Sequence, residues 1–338
     1  MSADKAKTGG QDGTPAGLPG RGPRDARAPG VIAIVGPTAS GKSTLGIKVA
    51  LRLGGEIINC DSVQVYQGIQ IATAKVPLEE REGIPHHLID FVPPEINYTA
   101  GEWARKAETK IEETEKRGRV PILVGGTGLY LRALRNPFFK SPPTDEQLRR
   151  RISRLRERHG PEHLHRLLQR LDSASAKELY PRDWPRVQRA IEVRLQTGSP
   201  MSQQKVKRPK PHESTRRLRV LVLDPPRAEL YTRINQRTEE HFAAGLVEEV
   251  EHLLAAGVPA QSNALGAHGY RRVVEYLEGK RDLASAIEQT KVDVRRYSKR
   301  QLTWFRRETG AEWFAGFGEQ THIQHAVLEA MSVPPDKA

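Results

Sequence analysis

An α/β fold built on a parallel sheet, interrupted by an all-helical insertion, is what this sequence predicts. Three observations carry that reading. Short apolar, β-branched runs alternate with stretches of helical period along the chain. The first of those runs ends directly in a glycine-rich loop that opens a helix. Residues 145–210 then hold no convincing strand, yet carry about +9 of the chain's formal net charge of +13.

Val31-Ile32-Ala33-Ile34-Val35 is five apolar residues long and precedes glycine, the signature of a strand buried on both faces. A helix is predicted from about Lys42 to Leu53. Glu56 to Cys60 reads as a second strand and His87 to Phe91 as a weaker third. Residues 100–117 have a helical period, with Trp103, Ala107 and Ile111 on one face. Val120 to Val124 is another buried run, whose Pro121 marks a strand start because proline cannot donate to a ladder. Leu218 to Leu223 is the fifth strand, and the chain is then helical to about residue 309. Residues 1–30 are rich in Gly, Pro, Ala and charge and are expected to be a disordered tail. The predicted organisation is a core over 31–140 and 211–315 with C-terminal helices, a helical insertion over 141–210, and a C-terminal tail over 316–338.

The chain has 338 residues, 37% of them hydrophobic, enough for a sizeable core. Its basic balance suggests a polyanionic partner, either nucleic acid or an acidic membrane surface. Many soluble proteins are basic without binding either. The one cysteine, Cys60, excludes an intrachain disulfide framework or a multi-cysteine zinc site. No apolar run approaches the roughly 20 residues that span a bilayer. The N-terminus lacks the apolar stretch of a signal peptide. A cytoplasmic protein that does not enter a membrane is expected.

Gly36-Pro37-Thr38-Ala39-Ser40-Gly41-Lys42-Ser43 matches G-x-x-x-x-G-K-[ST], a phosphate-binding P-loop. Its glycines let backbone N–H groups converge on phosphate oxygens, and the following helix adds its positive end. Lys42 would neutralise phosphate charge and Ser43 could ligate Mg²⁺. A chance match in this length arises about once in a hundred sequences, and here the motif also lies between a strand and a helix. Most P-loop proteins act on a nucleoside triphosphate and hold Mg²⁺ through an Asp ending an apolar strand. Asp224, after Val220-Leu221-Val222-Leu223, has that form, although a turn residue is the commoner meaning. Asp61 follows the second strand, at the sheet edge where open α/β sheets bind ligands. It could take a proton from a nucleophile attacking a phosphate-bearing substrate, or simply cap a helix. The residues alone leave both open.

Taken together, the motifs resemble those of the tRNA dimethylallyltransferases. The match rests on the P-loop, Asp61-Ser62-Val63-Gln64-Val65-Tyr66, Thr73-Ala74-Lys75, His86-His87-Leu88-Ile89-Asp90, Gly125-Gly126-Thr127-Gly128-Leu129-Tyr130 and Lys299-Arg300-Gln301-Leu302-Thr303-Trp304-Phe305-Arg306, collinear over about residues 31–308. The resemblance implies a P-loop nucleoside-triphosphatase-like parallel sheet core with an inserted all-helical tRNA-binding domain. It implies that Gly36, Thr38, Ala39, Ser40, Gly41, Lys42, Ser43 and Thr44 hold the diphosphate of dimethylallyl diphosphate, with Mg²⁺ on Ser43. It makes Asp61 the general base and counts Thr127 with it as catalytic. Asp61, Ser62, Val63, Gln64, Thr127, Arg186, Arg189, Lys299 and Arg300 would meet the anticodon stem-loop of tRNA.

The chain departs from the family pattern in places. Proline stands at 185 where glutamine precedes the first arginine of the insertion motif, Ala72 replaces a usual glycine, and His268 replaces a usual methionine. On the insertion, Arg151, Arg154 and Arg158 share one helical face and could follow phosphates or simply be solvated. Val294, Tyr297, Trp304 and Phe305 recur at helical spacing and read as core. A monomer is expected. An adenylate isopentenyltransferase uses the same donor on a free nucleotide, with no need for a basic insertion. A small-molecule P-loop kinase and an RNA-binding ATPase are the more distant alternatives.

Overall fold

The computed structural model describes residues 30–332. Among them, six parallel strands form one sheet: β1 (Val31–Val35), β2 (Gly55–Asn59), β3 (His86–His87), β4 (Val120–Gly125), β5 (Leu218–Leu223) and β6 (Glu312–Phe314). Their spatial order is β3-β2-β4-β1-β5-β6. The core helices are α1 (Lys42–Leu53), α2 (Ala100–Lys116) and α3 (Gly128–Arg135). Between α3 and β5 come α4 (Glu146–His159), α5 (Pro161–Leu171), α6 (Ser173–Glu178), α7 (Trp184–Thr197), α8 (Met201–Val206) and α9 (Glu213–Arg216). After β5 follow α10 (Arg227–Ala243), α11 (Leu246–Ala255), α12 (Tyr270–Leu277), α13 (Leu283–Phe305) and, beyond β6, α14 (Thr321–Ser332).

The alternation of β1 explains why its sequence is apolar throughout. Val31, Ala33 and Val35 enter a core on one face of the sheet with Trp103 and Ile111 of α2 and Phe305 of α13. Ile32 and Ile34 enter a second core on the other face with Leu45 and Val49 of α1. All five are fully buried, each worth about 1.5–3 kcal/mol for a Val or Ile side chain. Pro121 is tolerated in the interior strand β4 because it pairs only toward β2, opposite Glu56, while pairing with β1 begins at Ile122. The helix over 100–116 starts at a capping box: Thr99 accepts from Glu102 N–H (3.2 Å) and Glu102 accepts from Thr99 N–H (2.8 Å).

The insertion has a hydrophobic core of its own, built from α4, α5, α7 and α8 around Ile152, Leu164, Leu168 and Ile191. It can therefore hold a shape separate from the sheet. Its Asp172 is a buried hub, accepting from Ser175, Ser202 and their backbone N–H groups.

Two expectations need correction. The strand over His87 to Phe91 shrinks to His86–His87, because Leu88 (φ 61°) and Asp90 (φ 51°) turn left-handed and leave the ladder. The segment 316–338 is not a tail over its described part. Phe317 is fully buried, and α14 packs Ile323, Val327 and Met331 against the α1 side of the sheet. Their i, i+4, i+8 spacing puts them on one face, and that face covers apolar sheet surface. The edge strand β6, for which the sequence predicts no element, follows α13 and pairs in parallel with β5. Residues 1–29, where a disordered tail is expected, lie outside the described residues.

Candidate active site

The C-terminal ends of β1, β2 and β4 lie side by side, since β4 separates the other two. Each delivers one loop to the same place. β1 runs into the P-loop, β2 into Asp61, and β4 into Gly125 to Gly128. The close approach of the last two loops requires glycine: a Cβ on Gly125 would lie 2.1 Å from Cys60 O. Gly41 takes φ 78° immediately before α1, a left-handed conformation that glycine adopts at little cost.

These loops line a cavity of about 350 Å³. Thr38 through Thr44, Asp61, Val63 and Gln64 all reach it. Lys42 Nζ donates to Pro37 O at 2.6 Å, folding the side chain back over the loop. Burial pushes its ammonium down to about 8, opposed by the Asp61 charge and reinforced by Arg237. Burial likewise pushes the Asp61 carboxyl up, opposed by the Val63 N–H, the Lys42 charge and the Gln64 N–H. The Val63 N–H donates to Asp61 Oδ1 at 2.9 Å. Asp61 and Lys42 thus face one cavity, burial disfavouring the charged form of each and the charge of the other supporting it.

Thr127 does not line the cavity; it braces the wall. Its backbone N–H donates to Cys60 O (3.1 Å), its hydroxyl accepts the Ser62 N–H (2.9 Å) and it pairs with the Ser62 hydroxyl (3.2 Å). Gln64 is anchored through Nε2 to Thr73 O (3.0 Å) and Ala74 O (3.1 Å). Lys75 of the same segment is tied to Tyr66 O and Ile69 O (2.6 Å each) and to Asp90, a structural role.

Outside the cavity, the residues expected to meet RNA divide. Lys299 and Arg300 are exposed on α13. Arg186 is exposed and pairs with Asp183 (3.2 Å). Arg189 is engaged with Ser141, Pro142 O (2.6 Å) and Glu192 (3.2 Å), which fastens α7 to the start of the insertion. Of the arginine-rich α4, Arg149 forks onto buried Glu192 (3.0 Å twice) and Arg156 stacks on Trp184 at 3.8 Å. Arg151, Arg154 and Arg158 are exposed. Asp224 gives its backbone N–H to Phe314 O (2.9 Å) and its side chain does not line the cavity.

Four residues for which the sequence predicts no part in the site line the cavity. Arg237 and His241 of α10 line the cavity, and burial lowers the proton affinity of both, His241 to about 4. The signal for them was present: they fall on the face of α10 that buries Leu230, Ile234 and Thr238, and charge on such a stripe calls for a reason. Tyr297, read as core, opens onto the cavity, as does Gln301. Both lie on α13, the helix that also carries Lys299 and Arg300.

The IPP transferase family model matches residues 64–308 of this chain. The chain belongs to the IPP transferase family. A tRNA dimethylallyltransferase from Koribacter versatilis (strain Ellin345) is 45% identical over 305 residues, 90% of this chain and 98% of that protein. The solved tRNA isopentenylpyrophosphate transferase of Bacillus halodurans is similar with a TM-score of 0.64 at 35% identity, covering 89% of this chain and 96% of that one. A eukaryotic dimethylallyltransferase acting on tRNA matches with a TM-score of 0.73 at 28% identity, covering 90% and 78%. The IPP transferase reading places the chain among prenyl transferases, away from the kinase and ATPase alternatives. Among the described residues, no helix is long and apolar enough to cross a membrane.

Proposed function

We propose that this chain transfers a dimethylallyl group from dimethylallyl diphosphate to N6 of the adenine 3′-adjacent to the anticodon in tRNA, releasing diphosphate. The observation that carries the reading is the shared cavity of the P-loop and Asp61. A leaving diphosphate and an attacking amine need a cation-rich loop and a base within one small volume, and this cavity supplies both.

The bond from the allylic C1 to the diphosphate oxygen breaks, and the electron pair leaves with diphosphate. The P-loop amides, Lys42 and Arg237 receive that charge. The lone pair of adenine N6 is delocalised into its ring, so attack on C1 needs close placement and a base. Asp61 takes the N6 proton as the N–C bond forms. Burial raises the proton affinity of Asp61, which makes it a better acceptor than an ordinary surface carboxylate. An adenine in a stacked loop enters such a cavity by flipping outward. Lys299, Arg300 and Arg186 supply exposed positive charge for the phosphates of the stem-loop.

Mg²⁺ fits this donor set. Among the described residues, no three His, Cys, Asp or Glu gather as a metal cage. Mg²⁺ commonly takes few protein ligands and completes its shell with water and substrate phosphates. The Ser40 hydroxyl is buried in the loop without a hydrogen-bond partner, so the loop has polar capacity to spare for an incoming ligand. Ser43 would hold the ion, which would supply charge neutralisation for the leaving diphosphate.

A free-nucleotide acceptor is the second reading, and the insertion argues against it. A separately packed basic helical unit is unnecessary for AMP and suited to a stem-loop. The test uses labelled dimethylallyl diphosphate with Mg²⁺ and three acceptors: unmodified tRNA, AMP and ATP. Label mapped to the adenine beside the anticodon is expected. Label in AMP or ATP alone would move the acceptor to the free nucleotide.

A further inference from the structure

The reaction joins two loops that belong to different strands, and one side chain bonds to both. Gln301 lies on α13 and is 4% exposed. Its Oε1 accepts the Thr38 N–H of the P-loop at 2.9 Å, and its Nε2 donates to Gly126 O at 2.9 Å. A primary amide offers one acceptor and a donor pair in a fixed plane. An N–H on one side and a carbonyl on the other therefore set which way round the amide lies. The fit is close: a Cβ on Gly126 would come within 2.1 Å of Gln301 Nε2.

The two bonds reach different halves of the chemistry. Thr38 belongs to the loop that takes the leaving group. Gly126 precedes Thr127, whose hydroxyl accepts the N–H of Ser62, the residue after Asp61. The path from Thr38 through Gln301, Gly126 and Thr127 to Ser62 thus connects leaving-group loop to base loop. Trp304, one turn further along α13, packs over Gly128 and seats the same helix on the same loop. Lys299 and Arg300 lie immediately before Gln301, exposed.

We infer that Gln301 is a positioning residue that fixes the spacing between the diphosphate loop and the Asp61 loop, and so directs the allylic carbon to the adenine amine in preference to water. The inference rests on the transfer reaction proposed above. In productive transfer, the C1–O bond breaks, diphosphate leaves with its electron pair, C1 bonds to N6, and the N6 proton goes to Asp61. If the loops lose their spacing, the C1–O bond can still break with the P-loop intact. Water then supplies the new bond to C1 and releases its proton, giving dimethylallyl alcohol and diphosphate. Misplacement by about 1 Å costs on the order of 10²-fold in rate, and it costs transfer more than hydrolysis because only the amine must be aligned.

Gln301→Leu removes both bonds at similar bulk. Gln301→Glu keeps an acceptor for Thr38 and loses the donor to Gly126 O. Each is compared with the unaltered chain, using labelled dimethylallyl diphosphate and saturating tRNA; label is counted in tRNA and in alcohol, and the tRNA Kd is measured separately. For Gln301→Leu, kcat for transfer should fall about 10²-fold, the alcohol-to-tRNA ratio should rise at least about tenfold, and the tRNA Kd should stay within about twofold. Gln301→Glu should shift the ratio in the same direction. Unchanged transfer would overturn the inference, as would a loss in which tRNA product and alcohol fall in the same proportion, the mark of a merely structural role. Should Gln301→Leu melt below the assay temperature, the ratio for Gln301→Glu decides. Absence of transfer by the unaltered chain would instead remove the reaction itself.

Discussion

Replacing Lys42 with methionine should stabilise the ligand-free chain at neutral pH while removing its response to diphosphate. Burial brings Lys42 from 10.5 down to about 8. Below about pH 8 this lysine is charged in folded and unfolded chains alike, and folding bears the full cost of burying the charge. As pH rises from 8 towards 10.5, the folded chain releases its proton first and the cost fades. At about 1.4 kcal/mol per tenfold change in proton affinity, the full cost is roughly 3 kcal/mol. Methionine removes that cost but leaves Pro37 O, bonded to Nζ at 2.6 Å, without its donor, an opposing loss of about 1–2 kcal/mol. The balance is a gain of about 1–2 kcal/mol, or a rise in Tm of about 2–4 °C at pH 7. Thermal melts at pH 7 and pH 10 test it: the gain should disappear or reverse at pH 10. Added inorganic diphosphate with Mg²⁺ should raise the Tm of the unaltered chain and leave the variant unmoved. A variant that melts below the unaltered chain at pH 7, or by the same margin at both pH values, would refute the assignment of Lys42 as a strained cation awaiting an anion.

Asp61→Asn should lower kcat by at least about 10²-fold with tRNA Kd unchanged; near-normal turnover would remove Asp61 as the base. Because burial raises the Asp61 carboxyl, the base form is lost as pH falls through that raised value, so kcat/KM of the unaltered chain should decline at a higher pH than an ordinary carboxylate would give. Arg186→Glu should weaken tRNA binding and flatten its dependence on salt. Arg189→Ala should instead lower Tm, since its bonds to Pro142 O and Glu192 hold the insertion together; the two variants separate in paired binding and melting measurements. Val327→Asp should destabilise by several kcal/mol, because α14 buries that residue completely against the sheet; an unchanged melting curve would mean that α14 is dispensable.

The fold was legible where sequence pattern and burial coincide. β1, β4 and β5 are apolar because both faces are covered, and the P-loop follows β1 as its glycines require. It was less legible where a local conformation overrides a pattern, as Leu88 and Asp90 do for β3, or where a short element depends on a distant neighbour, as β6 depends on β5. The site divides the same way. Lys42 could be found because motif spacing puts it at the start of α1, and Asp61 because it follows the end of β2. Helical spacing puts Arg237 and His241 on the buried stripe of α10, but that they and Gln301 reach this cavity depends on tertiary packing, which spacing does not give. Thr127 shows the limit of residue identity: it belongs to the site, but by bracing Ser62 rather than by facing the cavity.

The strand order also has a consequence for how the chain folds. β1 sits at the middle of the sheet, yet its neighbours arrive late: Val31 lies opposite Leu218, with the whole insertion between them in sequence. Closing so long a loop delays the central pairing, which makes folding of the sheet slow. The insertion packs its helices around a core of its own, so it can form early, before the sheet is complete. Its compaction shortens the effective distance that the β1–β5 closure must span. The helical insertion would in this way also serve as the chain's folding tether.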